Sequence, residues 1–250
     1  MIKTKPLPID KVSPFWYKKG KSKPLREEHA KITNNVHPNI VCIAKKFSGK
    51  STACIYLILK HFFNKYTHLN IFSGSLEKDE KNSESFDSLM RKYPRNVSMD
   101  PHFYDKEGND ILGERIGDAD EYFELENDLP YDFPRTIFYF DDLKEEELRS
   151  PEMDQLFKTN RHHGIMNLLS AHNMKHISPT CRENTNILLL FKGMSLPALD
   201  DIYDWVNPSV NKKMFIRIYK KATDGERNFL MVDLDSKEMR KNLNELIIVE

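Results

Sequence analysis

From residue 37 onward, short apolar runs alternate with longer segments of helical periodicity. Apolar runs of five or six residues bounded by turn-forming residues are typical of buried strands. Segments with apolar residues three or four apart are typical of helices that cover a sheet. The alternation predicts an α/β fold in which helices flank a mostly parallel central sheet of about five strands. The predicted strands are Asn39–Ile43, His68–Phe72, Thr136–Phe140, Ile165–Ser170 and Asn186–Phe191.

The predicted helices span residues 50–64, 78–92 and about 144–159. The apolar stripe of the first helix consists of Ala53, Ile55, Tyr56, Leu59, Phe62 and Phe63. In the tail, residues 213–222 and 227–234 flank a Thr-Asp-Gly-Glu turn, which predicts a β-hairpin, and residues 236–247 are predicted to form a final helix. The chain therefore divides into an N-terminal arm (1–36), an α/β core (37–205) and a C-terminal hairpin and helix (206–250).

Composition excludes several classes of protein. A hydrophobic content of 39% in 250 residues excludes a disordered chain, and 38 basic against 38 acidic residues exclude a uniformly basic or acidic one. No apolar run reaches the roughly 18–20 residues of a membrane span, and no signal peptide is evident, so we expect a soluble, intracellular protein without a membrane partner. The three cysteines, Cys42, Cys54 and Cys181, are too few and too scattered for a disulfide framework or a zinc site. Cys42 and Cys54 lie in apolar segments and are predicted to be buried free thiols.

The zero net charge is a sum of unequal blocks. Residues 1–36 hold nine basic residues against three acids, residues 100–132 hold twelve acids against two basic residues, and residues 212–227 hold six basic residues against two acids. The acidic block carries turn signals and is predicted to be an insertion. The basic N-terminal arm includes Phe15-Trp16-Tyr17, which suits nucleic acid and equally suits docking on its own domain or a neighbour.

The most informative motif lies between the first predicted strand and helix. Residues 44–52, AKKFSGKST, match the phosphate-binding pattern G-x-x-x-x-G-K-[ST] except for Ala44. Gly49 lets successive N–H groups face an anion, Lys50 can reach the β- and γ-phosphates, and Ser51 can ligate Mg²⁺. We therefore expect ATP and Mg²⁺ to bind here. The expected nucleotide-binding residues are Ala44, Lys45, Lys46, Phe47, Ser48, Gly49, Lys50, Ser51 and Thr52.

Two carboxylates follow the third predicted strand. An apolar strand ending in acids is the Walker B pattern, in which the first acid holds Mg²⁺ and the next acts on the attacking water. We assign the metal role to Asp141 and the base role to Asp142. A predicted strand that ends in Ser170, followed by His172 and Asn173, is expected beside them. His172 or Asn173 is the candidate sensor of the γ-phosphate, with Asn173 slightly ahead.

These motifs together resemble those of a known family. The order AKKFSGKST, TIFYFDD, NRHHG with an apolar strand, and a P-x-x-R-x-N element at residues 179–184 resembles the genome-packaging ATPases of large DNA viruses and virophages. That group, typified by the poxvirus packaging ATPase, belongs to the FtsK/HerA branch of P-loop ATPases. The sequence departs from its usual pattern at Asp142, where Glu is usual, and at His172-Asn173, where Gln is usual.

The resemblance implies an ATP-hydrolysing, homo-oligomeric ring that drives double-stranded DNA into a capsid. It implies a capsid vertex protein as a further partner, and a location in the host cytoplasm, a viral factory or the virion. Such rings complete each site with an arginine from the next subunit, and Arg161 and Arg182 are the candidates. Phosphate contacts to DNA are expected from Lys212, Lys213, Arg217, Lys220 and Lys221.

Two alternatives to packaging remain open at this stage. One is a DNA translocase of the FtsK/HerA branch that acts outside packaging. The other is a P-loop kinase that acts on a nucleotide or small molecule, although simple nucleotide kinases do not need a strand between the phosphate loop and the Walker B strand. A DNA-stimulated ATPase rate without a small acceptor would distinguish the translocases from the kinase.

Overall fold

The computed structural model describes residues 23–74, 90–125 and 129–248, which contain one nine-stranded sheet. Its strands are β1 (Asn39–Ile43), β2 (His68–Ser73), β3 (Val97–Asp100), β4 (Thr136–Asp141), β5 (Ile165–Ala171), β6 (Ile187–Phe191), β7 (Phe229–Asp233), β8 (Met239–Lys241) and β9 (Glu245–Leu246). They are ordered β3-β2-β4-β5-β1-β6-β7-β8-β9 across the sheet. In this spatial order, the first six strands, from β3 through β6, are each parallel to their neighbours. Strands β7, β8 and β9 extend the sheet beyond β6, and each is antiparallel to the strand before it. All five predicted strands and the mostly parallel sheet are confirmed.

Helices cover both faces of the sheet. In the described residues they are α1 (Glu27–Ala30), α2 (Lys50–Leu57), α3 (Ile111–Glu124), α4 (Glu145–Leu148), α5 (Pro151–Thr159), α6 (Pro179–Glu183), α7 (Leu196–Val206) and α8 (Lys212–Ala222). Because successive side chains of a strand point to opposite faces, Val41 and Ile43 enter one hydrophobic cluster while Ile40 and Cys42 enter the other. The first cluster includes residues of α3, α5, α7 and α8, and the second includes residues of α2.

Strand β1 lies at the centre of the sheet, between β5 and β6. All five of its residues are buried, which explains why its sequence is apolar without alternation. Strand β5 separates β1 from β4, as the sequence predicted for the strand that follows the two acids. The carboxyl ends of β1, β4 and β5 therefore meet at one edge of the sheet, where the candidate site lies.

The predicted strand at residues 213–222 is wrong, because this segment is the helix α8. Its buried residues, Phe215, Ile218, Tyr219 and Ala222, follow a spacing of three, four and seven residues, which is a helical period. The side chain of Asn211 caps the helix by accepting a hydrogen bond from the Met214 N–H at 3.0 Å. The adjoining residues do form β7, so one of the two predicted hairpin strands is present.

The predicted final helix at residues 236–247 is also wrong. This segment forms β8, a turn and β9. Strand β8 pairs with β7 and so satisfies backbone N–H and C=O groups of β7 that a helix in its place would leave unpaired. Asn242 ends β8 in a left-handed conformation with φ 52°, which asparagine adopts more easily than most residues. A hairpin therefore exists in the tail, but it is formed by β7 and β8.

The acidic stretch 100–132 is more than the predicted insertion, because part of it belongs to the core. Phe103 is buried against Phe72 and Phe140, with ring centroids 5.4 and 5.8 Å apart. Leu112 and Ala119 of α3 are buried in the same cluster. The acids of α3 occupy the face that the core does not use, so the net charge of the stretch concealed an amphipathic helix.

Other helices differ from prediction in their details. The helix predicted at 144–159 is two helices, α4 and α5, separated by Arg149 and Ser150. Helix α2 continues as a π-helical turn, Ile58–Phe62, and buries Cys54 and Leu57 while Tyr56 and Leu59 of the predicted stripe are exposed. The helix predicted at 78–92, most of the N-terminal arm and the cluster Phe15-Trp16-Tyr17 lie largely or wholly outside the described residues.

All three cysteines are buried and unbridged, which confirms the prediction for Cys42 and Cys54. Within the described parts of the chain, every helix is too short or too polar to cross a bilayer.

Candidate functional site

The phosphate loop, residues 44–49, connects the end of β1 to the start of α2. Gly49 immediately precedes α2 with φ 85°, a left-handed conformation that favours glycine. A β-carbon at this position would also lie 3.0 Å from Cγ of Arg227. Ala44 is absent from the positive-φ residues, and Phe47 instead takes the left-handed conformation, with φ 61° and a fully exposed side chain. The alanine in place of the first glycine is therefore compatible with this loop.

Asp141 lies at the centre of a buried polar cluster at this edge of the sheet. The Lys50 ammonium lies 3.0 Å from its Oδ1, and Ser51 Oγ donates a hydrogen bond to its Oδ2 at 2.9 Å. Ser170 Oγ, on the neighbouring strand, donates to Oδ1 at 2.5 Å. The register of the sheet makes this possible, because Asp141 pairs directly with Ser170. The phosphate loop and the first Walker B acid are therefore in contact, as the sequence motifs required.

Burial and charge act in opposite directions on this cluster. Burial opposes ionisation of Asp141, but the Lys50 charge and the hydrogen bonds from Ser170, Lys50 and Ser51 outweigh it and hold the pKa of Asp141 below its ordinary value. Burial likewise opposes the charge of Lys50, yet Asp141 keeps the Lys50 pKa above its ordinary value. Both groups are therefore charged at neutral pH, and each neutralises the other inside the protein.

Asp142 has a different environment from its neighbour. Its side chain is exposed, and its backbone takes a left-handed conformation with φ 53°. Its Oδ1 lies 2.9 Å from His172 Nε2, while Nδ1 of the same ring lies 2.9 Å from the carbonyl oxygen of Ala44. Because the Ala44 carbonyl can only accept, the imidazole is the donor of that contact when Nδ1 carries a proton, and Nε2 then faces the Asp142 carboxylate. His172 thus connects the phosphate loop to Asp142.

The two sensor candidates are separated by this geometry. His172 contacts both the loop and Asp142, whereas Asn173 is exposed and its Oδ1 accepts the Lys175 N–H at 3.0 Å. Asn173 thereby caps the short 3₁₀ turn Met174–His176. The sequence interpretation placed Asn173 slightly ahead, and the structure places His172 nearer to the site. Ser170, which binds Asp141, was missing from the predicted site residues, because only the register of β4 and β5 indicates it.

The donor set at Asp141 fits a magnesium ion. Ser51 Oγ and Asp141 Oδ2, 2.9 Å apart, are both oxygen ligands of the kind Mg²⁺ binds. The described residues contain no group of three or more His, Cys, Asp and Glu side chains that would form a metal cage. One hydroxyl and one carboxylate match an ion that takes its remaining ligands from water and a triphosphate.

Arg161 and Arg182 lie at the opposite edge of the sheet. Arg161 is exposed in the 3₁₀ turn Asn160–His163, directly before β5, and Arg182 is half-buried in α6, which precedes β6. The phosphate loop follows the carboxyl end of β1, which runs parallel to both strands. A strand of this length spans roughly 20 Å, so neither arginine reaches the phosphate loop of its own chain.

The five candidate DNA-binding residues lie on α8. Lys213, Arg217, Lys220 and Lys221 are exposed, and their spacing of four, seven and eight residues places them on one helical face. None of these four forms an ion pair within the described residues. Lys212 differs, because its ammonium lies 3.5 Å from Asp200 Oδ1 and 5.5 Å from the centroid of the Tyr203 ring. The wrong strand prediction for this segment had concealed a continuous basic stripe.

Comparison with known proteins supports this fold. A family model described as poxvirus A32 protein matches residues 28–242. The DNA-packaging ATPase B204 from Sulfolobus turreted icosahedral virus has a TM-score of 0.53 and 19% identity over 81% of this chain and 95% of its own. The genome-packaging NTPase B204 from Sulfolobus turreted icosahedral virus 2 in complex with AMPPCP has a TM-score of 0.54 and 16% identity over 82% and 97%.

A conjugation protein has a similar structure. The pCW3 conjugation coupling protein TcpA with ATPγS has a TM-score of 0.53 and 14% identity over 86% of this chain and 67% of its own. Among curated protein sequences, none matches this chain. These structural likenesses confirm the predicted P-loop ATPase fold.

Proposed function

Because the chain belongs to the poxvirus A32 protein family, we propose that it is an ATP-hydrolysing motor that translocates double-stranded DNA and packages a viral genome into a capsid. The observation that carries the proposal is the contact of Lys50 and Ser51, on the phosphate loop, with Asp141 at the end of β4. The family agrees with the resemblance that the sequence motifs had indicated. The similar B204 structures are those of proteins described as genome-packaging enzymes.

The phosphate loop binds the triphosphate in this proposal. The N–H groups at the start of α2 and the Lys50 ammonium face the β- and γ-phosphates. Lys50 then exchanges its contact with Asp141 for contacts with phosphate oxygens, and Ser51 and Asp141 are the residues that would hold Mg²⁺. The ion, when bound, neutralises charge on the phosphate oxygens.

Asp142 acts on the attacking water. Its exposed carboxylate accepts the proton of the water as the oxygen attacks the γ-phosphorus, and the bond to the leaving ADP oxygen breaks. His172 positions Asp142 through its 2.9 Å contact and ties it to the Ala44 carbonyl of the phosphate loop. The shorter side chain of aspartate, compared with the usual glutamate, is compatible with this role because the left-handed backbone at Asp142 turns that residue out of the strand.

DNA binding requires no base recognition, because a packaging motor accepts any sequence. The four exposed cations on α8 form a stripe suited to the phosphates of a duplex. We place this stripe on the lining of a homo-oligomeric ring. In such a ring Arg161 or Arg182 completes the site of the neighbouring subunit, since both lie at the far edge of the sheet from their own phosphate loop.

A DNA translocase outside packaging is the second candidate, and the similarity to the conjugation protein TcpA favours it. Both candidates share the same site and differ in the partner that receives the DNA. For packaging, that partner is a capsid vertex protein, and the protein acts in the host cytoplasm, in a viral factory or on the virion. A simple nucleotide kinase is disfavoured by β5, which separates the phosphate-loop strand from the Walker B strand.

The test is the ATPase rate with and without double-stranded DNA across a series of salt concentrations, with Lys50→Ala as the inactive control. We expect DNA to stimulate hydrolysis, and added salt to remove the stimulation while the basal rate remains. An ATPase rate that is unaffected by DNA at every salt concentration would contradict the motor. Hydrolysis that requires a small phosphoryl acceptor would support the kinase.

A further inference from the structure

A large cavity lies directly beside the phosphate loop and is not explained by the catalytic residues. Its volume is about 730 Å³, which is within the range of small-molecule sites. Gly49 and Thr52 form the wall that it shares with the phosphate loop, and Tyr56, Arg227 and Phe229 are among its other lining residues. A nucleotide whose phosphates lie against Gly49 and Lys50 would extend its nucleoside into space of this kind.

The antiparallel part of the sheet builds the far wall of this cavity. Phe229 at the start of β7 pairs with Phe191 at the carboxyl end of β6, and Lys241 at the end of β8 pairs with Leu230. The start of β7 and the end of β8 therefore lie at the same edge of the sheet as the phosphate loop. Asn242, which follows β8, uses its amide internally: its Oδ1 accepts from the Phe229 N–H and its Nδ2 donates to Asn228. This wall is thus fixed by hydrogen bonds of the protein itself.

Tyr56 supplies an aromatic surface to the cavity. It lies on α2, and 55% of the residue is exposed although it was predicted to belong to an apolar stripe. Its ring meets His61 edge-on, with centroids 6.1 Å apart and planes at 70°. His61 is held by a 2.8 Å hydrogen bond between its Nδ1 and the Glu28 carbonyl. The supported ring is well placed to stack on a flat base.

Arg227 supplies a positive charge at the junction of cavity and loop. It takes a left-handed conformation, with φ 60°, and the carbons of its side chain lie over Gly49. No hydrogen bond or ion pair of its guanidinium group is found within the described residues. A guanidinium with five donors above the end of the phosphate loop, where α2 begins, matches a phosphate oxygen.

We propose that this cavity is the nucleoside half of the ATP site, in which Tyr56 stacks on the base and Arg227 binds the α-phosphate. The proposal rests on the proposed function, because it assumes that the phosphate loop binds a triphosphate. It adds that residues from two distant parts of the chain, α2 and the turn before β7, together bind the half of ATP that the phosphate loop does not contact.

The test compares the affinities of ATP and inorganic tripolyphosphate, both measured by calorimetry in magnesium buffer. Tripolyphosphate carries three phosphates without the nucleoside, so it reports on the phosphate loop and Arg227 but not on the stacking surface of Tyr56. For Tyr56→Ala we expect ATP binding to weaken about tenfold or more while tripolyphosphate binding changes less than about twofold. Tyr56→Phe retains the ring and should keep its ATP affinity within about twofold. Tyr66→Ala, which removes another exposed tyrosine outside the cavity, serves as the matched control.

Arg227 is tested in the same assay. Arg227→Ala should weaken ATP binding about tenfold, and Arg227→Lys should recover part of this loss because it restores the charge without the planar group. If Tyr56→Ala and Arg227→Ala both bind ATP like the wild type while Lys50→Ala does not, the cavity assignment is overturned and the phosphate-loop function stands. Equal losses of ATP and tripolyphosphate affinity in Tyr56→Ala would also overturn it. A wild-type protein that binds neither ligand would overturn both proposals.

Discussion

Lys50 Nζ and Asp141 Oδ1 lie 3.0 Å apart, and both residues are almost completely buried. The ammonium that would bind a triphosphate and the carboxylate that would bind its metal ion therefore neutralise each other in the structure. Separating them without a ligand would leave two charges inside the protein, which is strongly unfavourable. The pair thus contributes to folding as well as to the chemistry of the site.

The first prediction concerns this double role of Lys50. Lys50→Ala should abolish ATP binding and also destabilise the protein by about 3–5 kcal/mol, because the Asp141 carboxylate loses its cation. Urea unfolding without nucleotide measures the second effect. The double variant Lys50→Ala/Asp141→Asn should recover part of the lost stability, whereas Lys60→Ala, at an exposed position beyond α2, should change neither property. Wild-type stability in Lys50→Ala would contradict the buried pairing.

The second prediction separates Asp142 from its neighbours. Asp142→Asn should keep ATP affinity and lose hydrolysis, because the amide cannot accept the proton of the attacking water. His172→Ala should lower kcat by a smaller factor, on the order of 10–100-fold, since it only positions Asp142. Asn173→Ala should leave kcat nearly unchanged, because its side chain caps a 3₁₀ turn. Steady-state ATPase assays provide the measurement, and unimpaired turnover in Asp142→Asn would reject the base assignment.

The third prediction uses the basic stripe on α8. Replacing Lys213, Arg217, Lys220 and Lys221 together by alanine should weaken binding to double-stranded DNA of any sequence. The slope of log affinity against log salt concentration should fall by roughly 0.9 for each DNA phosphate that the variant no longer neutralises. Lys212→Ala is the control, because Lys212 already contacts Asp200 and Tyr203. A fourfold variant that keeps the wild-type slope would place the DNA-binding surface elsewhere.

The fourth prediction tests the arginine in trans. Arg161→Ala and Arg182→Ala subunits should each be mixed with Lys50→Ala subunits, and the ATPase rate compared with that of the separate proteins. If an arginine acts on the neighbouring site, mixing restores activity, since a Lys50→Ala subunit supplies the arginine to an intact phosphate loop. The absence of restored activity for both arginines would argue against a shared site.

The fifth prediction is a dependence of stability on pH. Burial lowers the pKa of His29 to about 4, and burial together with the nearby His29, Arg135 and Arg161 lowers the pKa of His37 to about 4. Between the unfolded value of 6.5 and about 4, the unfolded chain binds protons that the folded histidines do not. Stability should therefore fall as the pH falls, by about 2 kcal/mol for each histidine at about pH 5. Urea unfolding of His37→Gln should show a correspondingly smaller loss, and an unchanged pH dependence would reject this assignment.

The sequence predicted the central strands of the sheet better than its outer strands. The strands β1, β2, β4, β5 and β6 are buried on both faces, so their apolar runs have one structural interpretation. The pattern of residues 213–222 allows two structural interpretations. Ile216 and Ile218 fit the alternation of a strand, whereas Phe215, Ile218, Tyr219 and Ala222 fit the period of a helix. The cap at Asn211 decides for the helix, and this signal was present in the sequence.

The residues of the candidate site also fall into two groups: those that local motifs identify and those that only the pairing of strands identifies. Lys50, Ser51, Asp141 and Asp142 lie in local motifs whose residue order carries the chemistry, and the structure brings the first three into contact. Ser170 and the contact of His172 with Asp142 depend on how β4 and β5 pair. Arg227 lies 178 positions after Gly49 in the sequence, so only the folded sheet brings it to the phosphate loop.

The central position of β1 also determines the order of events during synthesis. Its first residue, Asn39, pairs with Asn167, 128 residues later in the chain. At roughly 5–20 residues per second, the ribosome needs on the order of ten seconds to make that partner. Throughout this interval a strand with four consecutive apolar residues lies in the nascent chain without its neighbours on either side. We expect ATP binding to begin only after the later strands have left the ribosome.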